Sequence, residues 1–342
     1  MSIASLGEFE LIARLTRGLR SQAGVELGVG DDCAILDLGG DLLLLITCDS
    51  QVEGVHFTMH TSSPDDIGCK ALAINLSDIA AMGGEPRYAL VSLILPRQLP
   101  LAVLDDIYIG LRREAERYGT AIIGGNIAGA GQGEQLIIDI TLLGTIERGH
   151  AITRSGAQVG DTLCVTGSPG DSATGLYTLL YPDLPYPQNA LEQVRAHHRT
   201  PRPRIHEGRI LSTLGPSVVT AMLDISDGLS GDLEHLCERS HVGARIDTSR
   251  LPLSPSLQAI AACASLDPLS WILHGGEDYE LLFTVSPANE QAVIEAVQSS
   301  TGTAVTPIGT ILPSDEGIKL RYPGGHEEPL RVQSWDHLKS ET

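Results

Sequence analysis

Residues 42–46 read Leu-Leu-Leu-Leu-Ile without a polar break, the pattern of a strand covered on both faces. A long helix is predicted over 65–82, stopped by Gly83, Gly84 and Pro86, and helices and strands then alternate along the chain. Before the run, Phe9, Ile12, Leu15 and Leu19 recur at helical spacing and predict a first helix over 6–20. After it come a strand at 88–95, a helix at 101–118 and strands at 121–124 and 135–146. Past a turn-rich stretch holding Gly149, Gly156 and Gly160, the pattern repeats: a strand at 162–166, helices near 172–180 and 205–214, a strand at 220–225, a helix at 229–239, strands near 244–247 and 280–285, a helix at 288–298 and short strands to 322. Residues 181–188, with Pro182, Pro185 and Pro187, read as a surface loop. A chain of 342 residues is expected to form two domains, here 1–148 and 149–342, of the α/β (α+β) class.

Charge narrows the chemistry. Lys plus Arg number 23 against 43 Asp plus Glu, a net charge of −20 that repels phosphate backbones and anionic lipid surfaces. Neither a nucleic-acid nor a membrane partner is expected, and no apolar run approaches the ~20 residues of a membrane span. Met1 to Leu15 carries Glu8 and Glu10 and no basic leader, so no signal peptide is read there and a cytoplasmic location is expected. Cys33, Cys48, Cys69, Cys164, Cys237 and Cys263 form no CxxC pair, and reduced, mostly buried thiols are expected. A phosphorylated substrate requires cations between itself and the carboxylates.

The usual phosphate loops are missing. No GxxxxGK[ST] occurs, and Gly28-Val-Gly30-Asp31 lacks the third glycine of a dinucleotide fingerprint. Thr166-Gly-Ser-Pro-Gly-Asp-Ser172 runs from strand to helix and is read as a structural turn with Asp171 as the cap. What stands out is acidic residues after apolar strands or in glycine turns: Asp31, Asp32, Asp49, Asp78, Asp224, Asp227, Glu277 and Asp278. Each alone is an ordinary cap or turn residue. Turns at one sheet edge converge, however, and two bare carboxylates ~4 Å apart repel by ~4 kcal/mol at an effective dielectric near 20. Such a cluster needs cations, and hard oxygen donors favour Mg²⁺ over zinc. Asn75-Leu-Ser-Asp78 and Asp224-Ile-Ser-Asp227 look alike, too briefly to establish a duplication.

Taken in order, Gly28-Val-Gly-Asp-Asp-Cys-Ala34, Thr47-Cys-Asp49, Val52-Glu-Gly-Val-His-Phe57, Lys70-Ala-Leu-Ala-Ile-Asn-Leu-Ser-Asp-Ile-Ala-Ala-Met-Gly83, Thr153-Arg-Ser-Gly-Ala157, Asp224-Ile-Ser-Asp-Gly-Leu229 and Gly275-Gly-Glu-Asp-Tyr-Glu-Leu281 resemble the bacterial thiamine-monophosphate kinases. That family lies within the aminoimidazole ribonucleotide synthetase-like superfamily. The resemblance implies a two-domain fold whose N-terminal sheets pair into a barrel across a homodimer. It also implies direct transfer of the ATP γ-phosphoryl to thiamine monophosphate, giving thiamine diphosphate and ADP with several Mg²⁺ ions. Position by position it assigns Asp32, Thr47, Cys48, Asp49, Asp78, Asn126, Asp224 and Asp227 to metal, with Asp49 and Asp78 central to catalysis. It assigns Gly125, Asn126, Arg154 and Ser226 to ATP, and His56, Glu277 and Trp335 to the vitamin. Two positions depart from the family pattern: Cys48 replaces a hydroxyl residue, and Gly124-Gly125-Asn126 replaces Gly-Gly-Asp. No side-chain base is implied, since a phosphate monoester oxygen is already a nucleophile. A Mg²⁺-dependent phosphohydrolase, a superfamily member with another acceptor and a catalytically silent nucleotide-binding subunit are the alternatives.

Overall fold

The computed structural model describes residues 7–19, 22–131 and 133–333. In the first half, helix α1 (Glu8–Thr16) precedes strands β1 (Val25–Leu27), β2 (Ala34–Leu36) and β3 (Leu42–Val52). Helix α2 (Pro64–Ala81), β4 (Glu85–Leu95), α3 (Leu101–Arg117), β5 (Ala121–Gly129) and β6 (Ile137–Glu147) follow. The six strands form one sheet in the order β1-β2-β3-β6-β4-β5, antiparallel except for the β4–β5 pair.

The second half contains β7 (Thr162–Thr166), α4 (Asp171–Leu180), α5 (Gln188–Arg199), α6 (Ile205–Leu214), β8 (Val219–Asp224), α7 (Leu229–Ser240) and β9 (Val242–Asp247). It continues through α8 (Pro255–Ala264), α9 (Pro268–His274), β10 (Leu281–Val285), α10 (Glu290–Thr301), β11 (Val305–Pro313), β12 (Ile318–Arg321) and β13 (Glu327–Pro329). Its sheet runs β13-β12-β9-β11-β7-β10-β8, with only β12–β9 parallel.

Helix α2 joins the two halves. Ser63 and Asp66 cap each other's backbone N–H groups, Pro64 occupies the first turn, and the helix is buried on nearly every side. A helix covered on nearly every face is an interior helix, and the polar Lys70, Asn75 and Ser77 are buried with it. One continuous apolar core runs from Leu45, Val91 and Ile140 of the first sheet, through Leu72 and Leu76 of α2, to Met222 and Phe283 of the second sheet.

The sequence reading is corrected in four places. Strand β3 is covered on one face only: Leu43, Leu45 and Thr47 are buried, whereas Leu42 is 44% exposed and Leu44 and Ile46 are half-buried. The open face continues through Tyr88, Leu90 and Ile94 of β4, all exposed. Strand β5 continues to Gly129 rather than stopping at Gly124. Helices α5, α8 and α9 and the short strands β1 and β2 were not expected. Nor does Asp171 cap α4, where Gly170 is the N-cap. The carboxylate of Asp278 does that work, accepting from the N–H groups of Gly170 (2.7 Å) and Ser172 (3.1 Å), while Asp171 accepts from the Ser254 hydroxyl.

Candidate active site

The acidic cluster forms where α2 meets both sheets. Alternation along β3 turns Thr47 and Asp49 toward the helix, and the Thr47 hydroxyl donates to Asp78. The neighbouring Ser77 donates to Asp224 at the end of β8, and the Asp49 N–H donates to Asn75 Oδ1 at 3.1 Å. Asp32 arrives on the loop between β1 and β2. Carboxylate oxygens of Asp32, Asp78 and Asp224 all lie within 4.8 Å of one another, and the charge of Asp49 acts on both Asp78 and Asp224. Arg154 closes one side: its guanidinium donates to Asp32, and its backbone N–H donates to Asp31 at 3.2 Å.

Burial first, then the neighbouring negative charges, raise these carboxyls: Asp31 to about 7, Asp224 to about 8 and Asp78 well above the ordinary range. Asp32 Oδ2 is buried with no hydrogen-bond partner. A crowded all-oxygen donor set with an orphaned buried oxygen suits a hard divalent cation. Because a raised folded pKa costs stability as pH rises from the unfolded value toward the folded one, the metal-free protein is expected to lose stability between pH 6.5 and 8. Mg²⁺ must displace the retained protons. Thermal melts should therefore show a larger Mg²⁺-induced rise at pH 8 than at pH 6.5; equal shifts would separate the cluster from metal binding.

A second group abuts the first. The loop 275–280 runs beside 225–228, with the N–H groups of Glu277 and Tyr279 donating to the carbonyls of Ser226 (2.7 Å) and Ile225 (2.8 Å). Glu277 and Tyr279 hold left-handed φ values of 64° and 52°, and a Cβ on Gly276 would lie 2.6 Å from the Ser226 carbonyl. That closeness seats Glu277 beside Ser226. The N–H groups of Asp227 and Gly228 donate to Asp232 Oδ2 at 3.2 and 3.1 Å, so Asp232, absent from the sequence reading, shapes this turn. His56 follows β3, its Nδ1 accepting from the Val52 N–H at 3.0 Å.

Among the described residues, Cys48 and Asn126 do not join the cluster. The Cys48 thiol points to the open sheet face, where it donates to Asp139 and accepts from Thr141, both at 3.5 Å. Asn126, paired with Ser92 on β5, is on that same face, and its strand is three strands from β3, about 14 Å away. Neither side chain can share an ion with Asp78 from there. Beside Asn126, a Cβ on Gly125 would meet the Val91 carbonyl at 1.7 Å, so glycine there serves the strand pairing. Trp335 lies outside the described residues.

Two mixed sheets bridged by a buried helix, with carboxylates from both halves gathered at the junction, define an AIR synthase related protein. The N-terminal domain of that family matches residues 30–146 and its C-terminal domain residues 158–320. Thiamine-monophosphate kinase of Escherichia coli K12 is 39% identical over 346 residues, 97% of this chain and 98% of the relative. That of Bacillus subtilis is 37% identical over 337 residues, 98% and 100% of the two chains. The chain belongs to the thiamine-monophosphate kinase family. Among solved structures, AaThiL complexed with AMPPCP and TMP superposes with a TM-score of 0.84 at 34% identity, covering 98% of this chain and 99% of that one. The E. coli hydrogenase maturation protein HypE, at 20% identity and TM-score 0.70, covers 96% of this chain and 99% of its own and shows the fold alone.

Proposed function

We propose that this chain catalyses transfer of the ATP γ-phosphoryl to thiamine monophosphate, yielding thiamine diphosphate and ADP. The observation that carries this reading is the convergence of Asp32 and Asp78 with Asp224 of the opposite half, next to Glu277 and Arg154. In phosphoryl transfer between two anions, positioning and charge neutralisation supply most of the catalysis. Asp32, Asp49, Asp78, Asp224 and Asp227, with Thr47, would hold Mg²⁺, which when bound offsets the charge of both reactants. Arg154 is fixed by Asp32 and Asp31, so its guanidinium fork is pre-organised for a phosphate oxygen pair. A cavity of about 350 Å³ beside it is lined by Gly30, Arg154, His235, Glu238, Arg239 and His241. Arg239 and Arg154 give this cavity two guanidinium groups that an anionic nucleotide could meet. Glu277 and His56 face the cationic vitamin, and the attacking group is the substrate's own phosphate oxygen. A cytoplasmic location belongs to the same reading.

With ATP and Mg²⁺, the purified protein is expected to form ADP in a one-to-one ratio with thiamine diphosphate, and none without thiamine monophosphate. Phosphate release without the vitamin would replace the kinase by a hydrolase.

The reading includes a homodimer. Apolar side chains on the open sheet face, together with the unpaired edge of β5, are what a second copy would cover. Light scattering should give about twice the 36.3 kDa chain mass. Leu90→Lys, at a residue 37% exposed on that face, should shift it to the single-chain value; an unchanged dimer would place the contact elsewhere.

A further inference from the structure

Lys70 is only 2% exposed, and its Nζ lies 2.6 Å from Glu277 Oε1. A buried ammonium costs several kcal/mol unless it is paired, and this one, on α2 of the first half, takes its partner from a loop of the second. The other oxygen of that carboxylate, Oε2, lies 3.5 Å from Nδ1 of His198 on α5, which itself meets the Ser172 hydroxyl at 3.3 Å. Burial and the nearby Lys70 hold the His198 pKa down to about 4, so at neutral pH the imidazole is uncharged. Glu277 also keeps a left-handed backbone at φ 64°, a conformation that persists where the surroundings over-determine it.

We infer that Lys70 and His198 are positioning residues, clamping the two oxygens of Glu277 from opposite halves of the molecule so that the carboxylate meets the vitamin's cationic ring in one orientation. This rests on Glu277 being a contact for thiamine monophosphate. Neither clamp touches the acidic cluster by any bond described above, so its loss reaches the vitamin site through Glu277. An unclamped carboxylate swings among rotamers and must be re-ordered at each binding event, which appears in the KM of the vitamin rather than of the nucleotide.

The test is a double-mutant cycle on the full-length enzyme with ATP, Mg²⁺ and thiamine monophosphate. Glu277→Gln alone should raise the KM for thiamine monophosphate about tenfold; no change there would dismiss Glu277 as the vitamin contact. Lys70→Met, of similar volume, should raise the same KM about tenfold with the KM for ATP unchanged, yet add nothing in the Glu277→Gln background. Equal effects in both backgrounds, or parallel rises in both KM values, would overturn the positioning role in favour of a merely structural one. If Lys70→Met fails to fold, His198→Gln takes the same cycle with the same expected pattern, and an unchanged vitamin KM in that variant overturns the clamp.

Discussion

Asp78→Asn is expected to lower kcat by about 10²–10³-fold, the loss seen when one preorganised electrostatic group is removed from a transition state. The same substitution should stabilise the metal-free protein. Asp78 sits among Asp49, Asp224 and Asp32, and burial with these three charges pushes its pKa up, so a neutral amide of the same shape relieves repulsion while still accepting from Thr47. At pH 8, without Mg²⁺, the unfolding midpoint should rise by about 2–4 °C, equivalent to about 1 kcal/mol, and the upward shift on adding Mg²⁺ should shrink. A variant that is inactive and more stable is not misfolded. Retained kcat would remove the cluster from catalysis, whatever the melting curve shows.

Arg154→Leu should act in the opposite sense on stability. The guanidinium is the counter-charge for Asp32, whose side chain is 0% exposed, and deleting one partner of a buried pair costs about 3–5 kcal/mol. That cost should be greatest at pH 8 and smaller below the Asp31 pKa of about 7, where protonation removes one of the neighbouring negative charges that Arg154 offsets. Activity should fall as well, with kcat/KM for ATP reduced by about 10²-fold, the loss of two charge-assisted bonds at roughly 1.5 kcal/mol each. Lys restores a charge but not the planar fork, so Arg154→Lys should recover most of the melting temperature and little of kcat/KM. Full recovery of both would reduce Arg154 to a structural counter-ion.

The architecture was legible wherever signals are local. The long helix expected over 65–82 is α2 at Pro64–Ala81, fixed by its Ser63-Pro64 start and glycine stop. Strands β7, β8 and β10 fell within a residue or two of their expected places. Helices α8 and α9 were overlooked, although Ser254-Pro255 and Asp267-Pro268 are cap-and-proline starts, because both are short; α5 was overlooked although its buried Ala190, Val194 and His198 recur at helical spacing. Coverage of β3 was misjudged because an all-apolar run does not reveal which face its own chain will fill.

The acidic residues of the cluster were visible as a set, since each follows a strand or sits in a recognisable motif. Their supports were not. Asp278 caps a helix more than a hundred residues upstream, and Lys70 lay inside a quoted motif while its counter-ion waited in another. Cys48 and Asn126 were placed by motif position alone. The two-residue alternation of a strand, which turns both toward the open face, decides where their side chains go.

The bond between Lys70 and Glu277 also has a consequence for the newborn chain. At ~5–20 residues per second, a ribosome adds the ~200 residues separating them in roughly 10–40 seconds. Throughout that interval the first half carries a cation its interior cannot accept alone, so α2 is held back from final packing until the second half emerges.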